Sequence, residues 1–181
     1  MYYYTNSRDN SYYAILEVKG RRHFFVYLIE QDQLNMKVRV KQKDVFKAEN
    51  LVIQCISSHV NKNDFKFRTR EYEFTNTLDT IIGNTSLQHY KLLYTAGHEE
   101  KVTNRIGTNH YIIEDSTEFH LPILTHPTAY EEWKEERNIP NGIYREKIFY
   151  NYKNEVQYKY ILNGYYPIDK SSSLTKQCLG E

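Results

Sequence analysis

Apolar and polar positions along this chain alternate mostly with the two-residue period of strands, and only one segment carries a helical period. Residues 12–19 form the first such run and stop at the Gly20 turn. His23-Phe24-Phe25-Val26-Tyr27-Leu28-Ile29 follows as an unbroken apolar stretch, which predicts a strand buried on both faces. Residues 36–40 alternate apolar side chains with Lys and Arg, the pattern of a strand half open to water. Residues 51–56 predict another strand, ending at the turn-rich residues 57–64. Residues 65–74 alternate again and place Lys66, Arg68 and Arg70 on a single face. Residues 78–82 read equally as a short helix or a strand before Gly83-Asn84. Two further strands are predicted at residues 90–94 and 110–114, flanking turns at Gly97 and Gly107. Residues 144–152 and 155–162 make a hairpin around Lys153-Asn154. Residues 1–11 are polar, an arm or a loose first strand, and the tail from Ser171 onward reads as flexible.

The exception is Thr128-Ala129-Tyr130-Glu131-Glu132-Trp133-Lys134-Glu135-Glu136-Arg137. Thr128 followed three residues later by Glu131 has the form of a capping box, acids fill the first turn, and Pro140 and Gly142 end the helix. Tyr130 and Lys134, four apart, share one face, while Trp133 turns toward a core. A phenol beside an ammonium is capable of proton chemistry, although a lone pair at this spacing is ordinarily a packing contact. A second Tyr-x3-Lys, Tyr166 and Lys170, contains Pro167 and does not read as helix.

Many short strands with regular turn signals and one helix predict a mainly β fold, an antiparallel barrel or a pair of barrels. Its 181 residues suffice for a single β-rich domain over residues 1–170, with residues 171–181 as the flexible tail. Eighteen Tyr suit half-buried strands or shallow polar binding surfaces. A formal net charge of +1 marks neither a wrapper of nucleic-acid polymers nor a membrane-surface protein. Cys55 and Cys178 make no disulfide framework, and there is no CxxC for zinc. The first residues lack a signal peptide's basic and apolar regions, and no apolar run has transmembrane length, so an intracellular location is expected.

P-loop, GxGxxG, GxSxG and HExxH motifs are absent. Gln54-Cys55-Ile56 lacks the glycine-bounded turn of a protease nucleophile. Asp9 with Glu17-Val18-Lys19 has the acid-then-ExK form of metal-dependent nucleases, in which two carboxylates share a divalent ion. The basic face of Lys66, Arg68 and Arg70 is either a phosphate wall or an ordinary solvated face.

From His23 to the C-terminal hairpin, the chain resembles the poxins, viral and insect nucleases that cut cyclic GMP–AMP. The resemblance rests on the order of several segments. The Tyr130-x3-Lys134 helix is followed by a Pro- and Gly-containing break and a hairpin. Upstream stand Leu92-Leu93-Tyr94-Thr95-Ala96-Gly97 and Ile106-Gly107-Thr108-Asn109-His110-Tyr111-Ile112-Ile113-Glu114, and further up Cys55-Ile56-Ser57-Ser58-His59-Val60-Asn61-Lys62. His23-Phe24-Phe25 is similar to the family's His-x-Phe, although Val26-Tyr27 stands where the family has Pro-Gly and the interval to Tyr130 is shorter. The other histidines, His59, His89, His98, His110, His120 and His126, compete with His23 for the role.

The resemblance implies two small antiparallel β-barrels like those of chymotrypsin-type viral proteases, with a short helix before the C-terminal hairpin. It implies a homodimer in the host cytoplasm that cleaves the 3′–5′ linkage of 2′,3′-cyclic GMP–AMP and so suppresses cGAS–STING-type signalling, with no metal and no cofactor. His23, Tyr130 and Lys134 would be catalytic, and Lys62, Lys66, Arg68 and Arg70 are candidates for holding substrate phosphates. The competing expectation is a non-catalytic β-barrel that binds a cyclic nucleotide or a protein partner.

Overall fold

The computed structural model describes residues 1–31, 33–47, 49–53, 57–60, 62–64 and 66–174. The chain begins with β1 (Tyr2–Asn6), β2 (Asp9–Lys19), β3 (His23–Glu30), β4 (Leu34–Lys41), α1 (Gln42–Lys47), β5 (Asn50–Ile53) and β6 (Ser57–Val60). A 3-10 helix, Lys66–Glu71, leads to β7 (Tyr72–Asn76), β8 (Thr80–Ile82), β9 (Thr85–Leu87), β10 (His89–Tyr94), α2 (His98–Thr103) and β11 (Thr108–Glu114). Then come α3 (Pro127–Glu136), β12 (Ile143–Tyr150), β13 (Val156–Ile161) and β14 (Ser171–Leu174). They fall into two compact units, Met1–Asn63 joined by the segment from Tyr166 onward, and Asp64–Tyr165.

In the first unit, five strands pair antiparallel in the order β1-β2-β3-β4-β6. The register stacks Ala14, Leu28 and Met36 in one row, Leu16, Val26 and Val38 in the next, and Val18, Phe24 and Val40 in a third. Because side chains alternate across a strand, these rows share one face, and all of them except the exposed Val18 join Val45 of α1 in an apolar core. Each large side chain buried there stabilises the fold by roughly 1.5–3 kcal/mol. The other face is not closed by apolar packing. Phe25 and Tyr27 are half-buried, and the Lys37 ammonium lies 4.3 Å and 5.2 Å from their ring centres. Lysine stems cover this side while their heads stay wet, so β3 is buried on one face rather than two.

In the second unit, the order is β13-β12-β11-β10-β7. One face presents Phe74, Leu92, Tyr111, Ile113 and Tyr144 to α3, which contributes Ala129, Tyr130 and Trp133 to the same core. Gly107 is needed before β11, because a Cβ there would stand 2.5 Å from both Phe149 Cε2 and the Tyr150 carbonyl. The hairpin of β12 and β13 turns at Asn154, whose φ is 62°, as the Lys153-Asn154 signal predicts.

Several expectations are corrected. Among the described residues neither five-stranded sheet closes into a barrel: β1 pairs only with β2, β6 only with β4, β7 only with β10 and β13 only with β12. Closure requires the edge strands to meet. Residues 1–11 hold an ordered hairpin of β1 and the start of β2. Residues 57–60 are a strand rather than part of a turn. In the tail, β14 pairs in parallel with β5, Ser171 opposite Asn50. The short helices α1 and α2 accompany α3. Asp9 and Glu17 lie on one continuous strand, so about 3.3 Å per residue separates them by about 26 Å. They cannot share a metal ion, which removes the ExK reading. Cys55 and Cys178 lie outside the described residues. No helix among the described residues is long and apolar enough to cross a membrane.

Candidate functional site

The helix α3 forms where its pattern predicts, but its ends are set differently. It begins at Pro127 with His126 as N-cap and no side-chain cap bond; proline suits a first helical position, where no N–H is needed. Thr128 therefore sits inside the first turn, which holds no acid, and the predicted capping box does not form. Glu131 instead bonds Lys66 at 3.3 Å. The helix stops at Arg137, which takes a left-handed conformation and returns its N–H to the Trp133 carbonyl, before Pro140 and Gly142 are reached. The Arg137 guanidinium lies 3.7 Å from the Trp133 ring centre, a stacked contact that favours this ending.

Residues 128–133 are all buried, and Lys134 is the first exposed side chain. The tyrosine and lysine singled out by their spacing are neighbours in space: Lys134 Nζ is 5.9 Å from the Tyr130 ring centre. Tyr130 keeps 9 % of its surface open and packs on Trp133 with ring centres 6.3 Å apart. The pair is thus a buried phenol ring with a solvated ammonium at its rim.

The basic residues do not make a wall. Residues 66–71 form a 3-10 helix, whose period of three sends alternate residues to different sides. Lys66 is engaged by Glu131. Arg68 bonds Glu71 at 2.6 Å, Glu100 at 2.9 Å and the Tyr94 hydroxyl at 2.9 Å. Its pKa is raised, first by the bond to Glu71, and its charge is already compensated. Arg70 is exposed. Lys62 is exposed too, and belongs to the first unit.

His23 also lies in the first unit, at the start of β3, so neither unit by itself holds all three predicted catalytic groups. Its Nδ1 is 3.3 Å from Arg39 Nη2, and its carbonyl accepts a bond from Gln42 Nε2 at 3.3 Å. Of the competing histidines, His120 is buried. Its Nδ1 meets the Leu121 carbonyl at 2.5 Å, and its own carbonyl accepts the Gly142 N–H, which marks it as structural.

Sequence reasoning missed two buried charges. Lys147 of β12 is 8 % exposed, and its ammonium donates to Thr125 Oγ1 at 2.6 Å, just ahead of α3. Burial lowers its pKa to about 8. Glu132 accepts bonds from the Phe74 N–H at 3.0 Å and Asn138 Nδ2 at 2.8 Å, while its Oε2 has no partner. Burial raises its pKa against those bonds. No local pattern marks either residue: Lys147 ends the charged run Arg145-Glu146-Lys147, and Glu132 lies in an acid-rich helix. A shallow cavity of about 270 Å³ is lined by Gln88, Ile113, Asp115, Glu118, Pro140 and Asn141, and neither Tyr130 nor Lys134 reaches it.

No protein-family model matches this chain, and neither curated proteins nor solved structures yield a significant match.

Proposed function

We propose that the chain is a divergent poxin-like nuclease that cleaves the 3′–5′ linkage of 2′,3′-cyclic GMP–AMP without a metal, and so suppresses cGAS–STING-type signalling in the host cytoplasm. The observation that carries this reading is the contact of Lys134 with Tyr130 at the exposed rim of α3, followed by the break after Arg137 and the β12–β13 hairpin. Two β-rich units descended from a protease-like scaffold, paired as a homodimer, belong to the same reading.

The chemistry needs no external nucleophile. The ribose 2′-hydroxyl stands beside the 3′-phosphate, and intramolecular attack displaces the 5′-oxygen. A base takes the hydroxyl proton, a cation balances the charge gathering on the phosphorane oxygens, and an acid protonates the leaving oxygen. Lys134 with Tyr130 supplies the cation and one proton-transfer group, and His23 is the third group of this proposal. Lys62 and Arg70 are the exposed cations left to hold phosphates, since Lys66 and Arg68 are engaged by carboxylates.

Incubation with cyclic GMP–AMP followed by chromatography is the test. The expected product is a linear dinucleotide, formed equally with EDTA present. Lys134→Ala and Tyr130→Phe each lower turnover by about 100-fold or more with unchanged circular dichroism, and normal turnover in either variant sinks the assignment. The second reading, a protein that binds the dinucleotide without cutting it, is favoured by the burial of Tyr130. Saturable binding with no product establishes it instead.

A further inference from the structure

On the face of the second sheet opposite α3, the β10–β11 register joins two histidines that are far apart in sequence. His110 lies directly across from Lys91, and His89 is one step along the same face. His89 Nε2 is 2.9 Å from His110 Nδ1, and His89 Nδ1 is 3.2 Å from Thr80 Oγ1. Thr80, His89 and His110 thus form one chain of hydrogen bonds. The His110 ring packs on Tyr150 with centres 4.6 Å apart. Lys101 of α2 reaches the same place, donating to Thr108 Oγ1 at 3.1 Å.

The charges here have one sign. Among the described residues neither Lys91 nor Lys101 forms an ion pair. On the adjoining strands, Glu73 makes no ion pair with Lys91, and Glu146 is taken by Lys159 at 2.7 Å. Two ammonium groups flanking two imidazoles leave both rings harder to protonate. His110 falls to about 4, through burial first and then His89, Lys91 and Lys101; His89 is lowered by burial and then Lys91. A cluster of cations and neutral N–H donors, without a carboxylate to balance it, is complementary to an oxyanion.

We propose that His89, His110, Lys91 and Lys101 form a binding site for a phosphate group, separate from the Tyr130–Lys134 pair. The two lysines supply charge. The hydrogen-bond chain supplies a donor: with the Thr80 hydroxyl donating to His89 Nδ1, His89 Nε2–H donates to His110 Nδ1, and His110 keeps its proton on Nε2 for the anion. A bound phosphate reverses the local field and makes protonation of the pair easier. Tyr150 offers an aromatic face to the base of a nucleotide.

Side-chain ¹H–¹⁵N spectra of the histidines in the full chain test this, with inorganic phosphate added against sodium chloride at equal ionic strength. The expected result is a shift of the His89 and His110 signals and an upward move of both titration midpoints. Lys91→Met and Lys101→Met, made separately, each weaken the phosphate response about tenfold or more while the backbone spectrum stays folded. Spectra indifferent to phosphate, or an undiminished response in both variants, overturn the proposal. A parallel titration with adenosine 5′-monophosphate separates the sources: tighter binding with a shift of the Tyr150 ring signals identifies a nucleotide phosphate, and equal binding identifies a site for free phosphate.

Discussion

The two units are each built on a five-stranded antiparallel sheet, yet they differ in the ionisable groups they bury. The first core holds Leu16, Phe24, Val26, Met36, Val38 and Val45, with no titratable group among them. The second adds Tyr111, Tyr130, Tyr144 and Trp133 to Phe74, Leu92, Ile113 and Leu124, and the same unit buries Glu131, Glu132 and Lys147. Apolar burial stabilises through transfer from water and is indifferent to pH. Buried polar groups cost stability unless they are satisfied, and here the hydroxyls of Tyr111 and Tyr144 and one oxygen of Glu132 have no hydrogen-bond partner. A unit that keeps such groups does so at the expense of its own stability. Among the described residues, the buried carboxylates and the buried ammonium all lie in the second unit.

The comparison breaks most readily at the largest effect. Phe24→Ala, which empties a site in the apolar core, is expected to lower stability by about 3–5 kcal/mol. The loss in urea unfolding should be equal at pH 5 and pH 9, and a marked pH dependence would mean that the first core contains charge after all.

Lys147→Met tests the second unit. The lysine titrates at about 8 when folded against 10.5 ordinarily, so between those values the unfolded chain binds more protons and wild-type stability rises with pH. At pH 7 both states are charged, and the folded state carries the full cost of the buried ammonium. Replacing it with methionine is expected to stabilise the protein at pH 7 by roughly 2 kcal/mol, after allowing for the lost bond to Thr125. The gain should vanish by pH 10.5, as urea midpoints across that range will reveal. A variant that is less stable at every pH contradicts the account.

The smallest effect returns to the first unit. Lys170 donates to the carbonyls of Val45 at 2.7 Å and Phe46 at 2.9 Å, at the C-terminal end of α1. This is where a cation satisfies the unpaired carbonyls of a helix. Lys170→Met should cost about 0.5–1 kcal/mol, seen as faster amide exchange confined to α1. Uniformly faster exchange across the first sheet would show that Lys170 supports more than the helix end.

Which parts were readable in advance follows from the range of the forces involved. The strands β2, β3, β4, β10, β11, β12 and β13 are legible as short runs rich in apolar and aromatic residues between turn signals, with clear alternation in β4, because composition and spacing are local properties. The α3 helix and its inward Trp133 are legible for the same reason. Residues 66–71 are not. Their alternation of Phe with Lys and Arg looks like a strand, but Lys66 is held by Glu131 and Arg68 by Glu100, partners remote in sequence. The ends of α3 are not legible, because a Pro at the first position and a left-handed Arg137 stand in for the expected cap and stop.

By itself the sequence determined a mainly β chain, most of its strands, the single long helix and the adjacency of Tyr130 and Lys134, since each depends only on spacing within one element. Tertiary structure decided that neither sheet closes among the described residues, that Lys66 and Arg68 serve carboxylates, that Lys147 is buried beside Thr125 ahead of α3 and that His89 meets His110. Each of those depends on strand register or on a partner from a distant segment, and no local pattern carries that information.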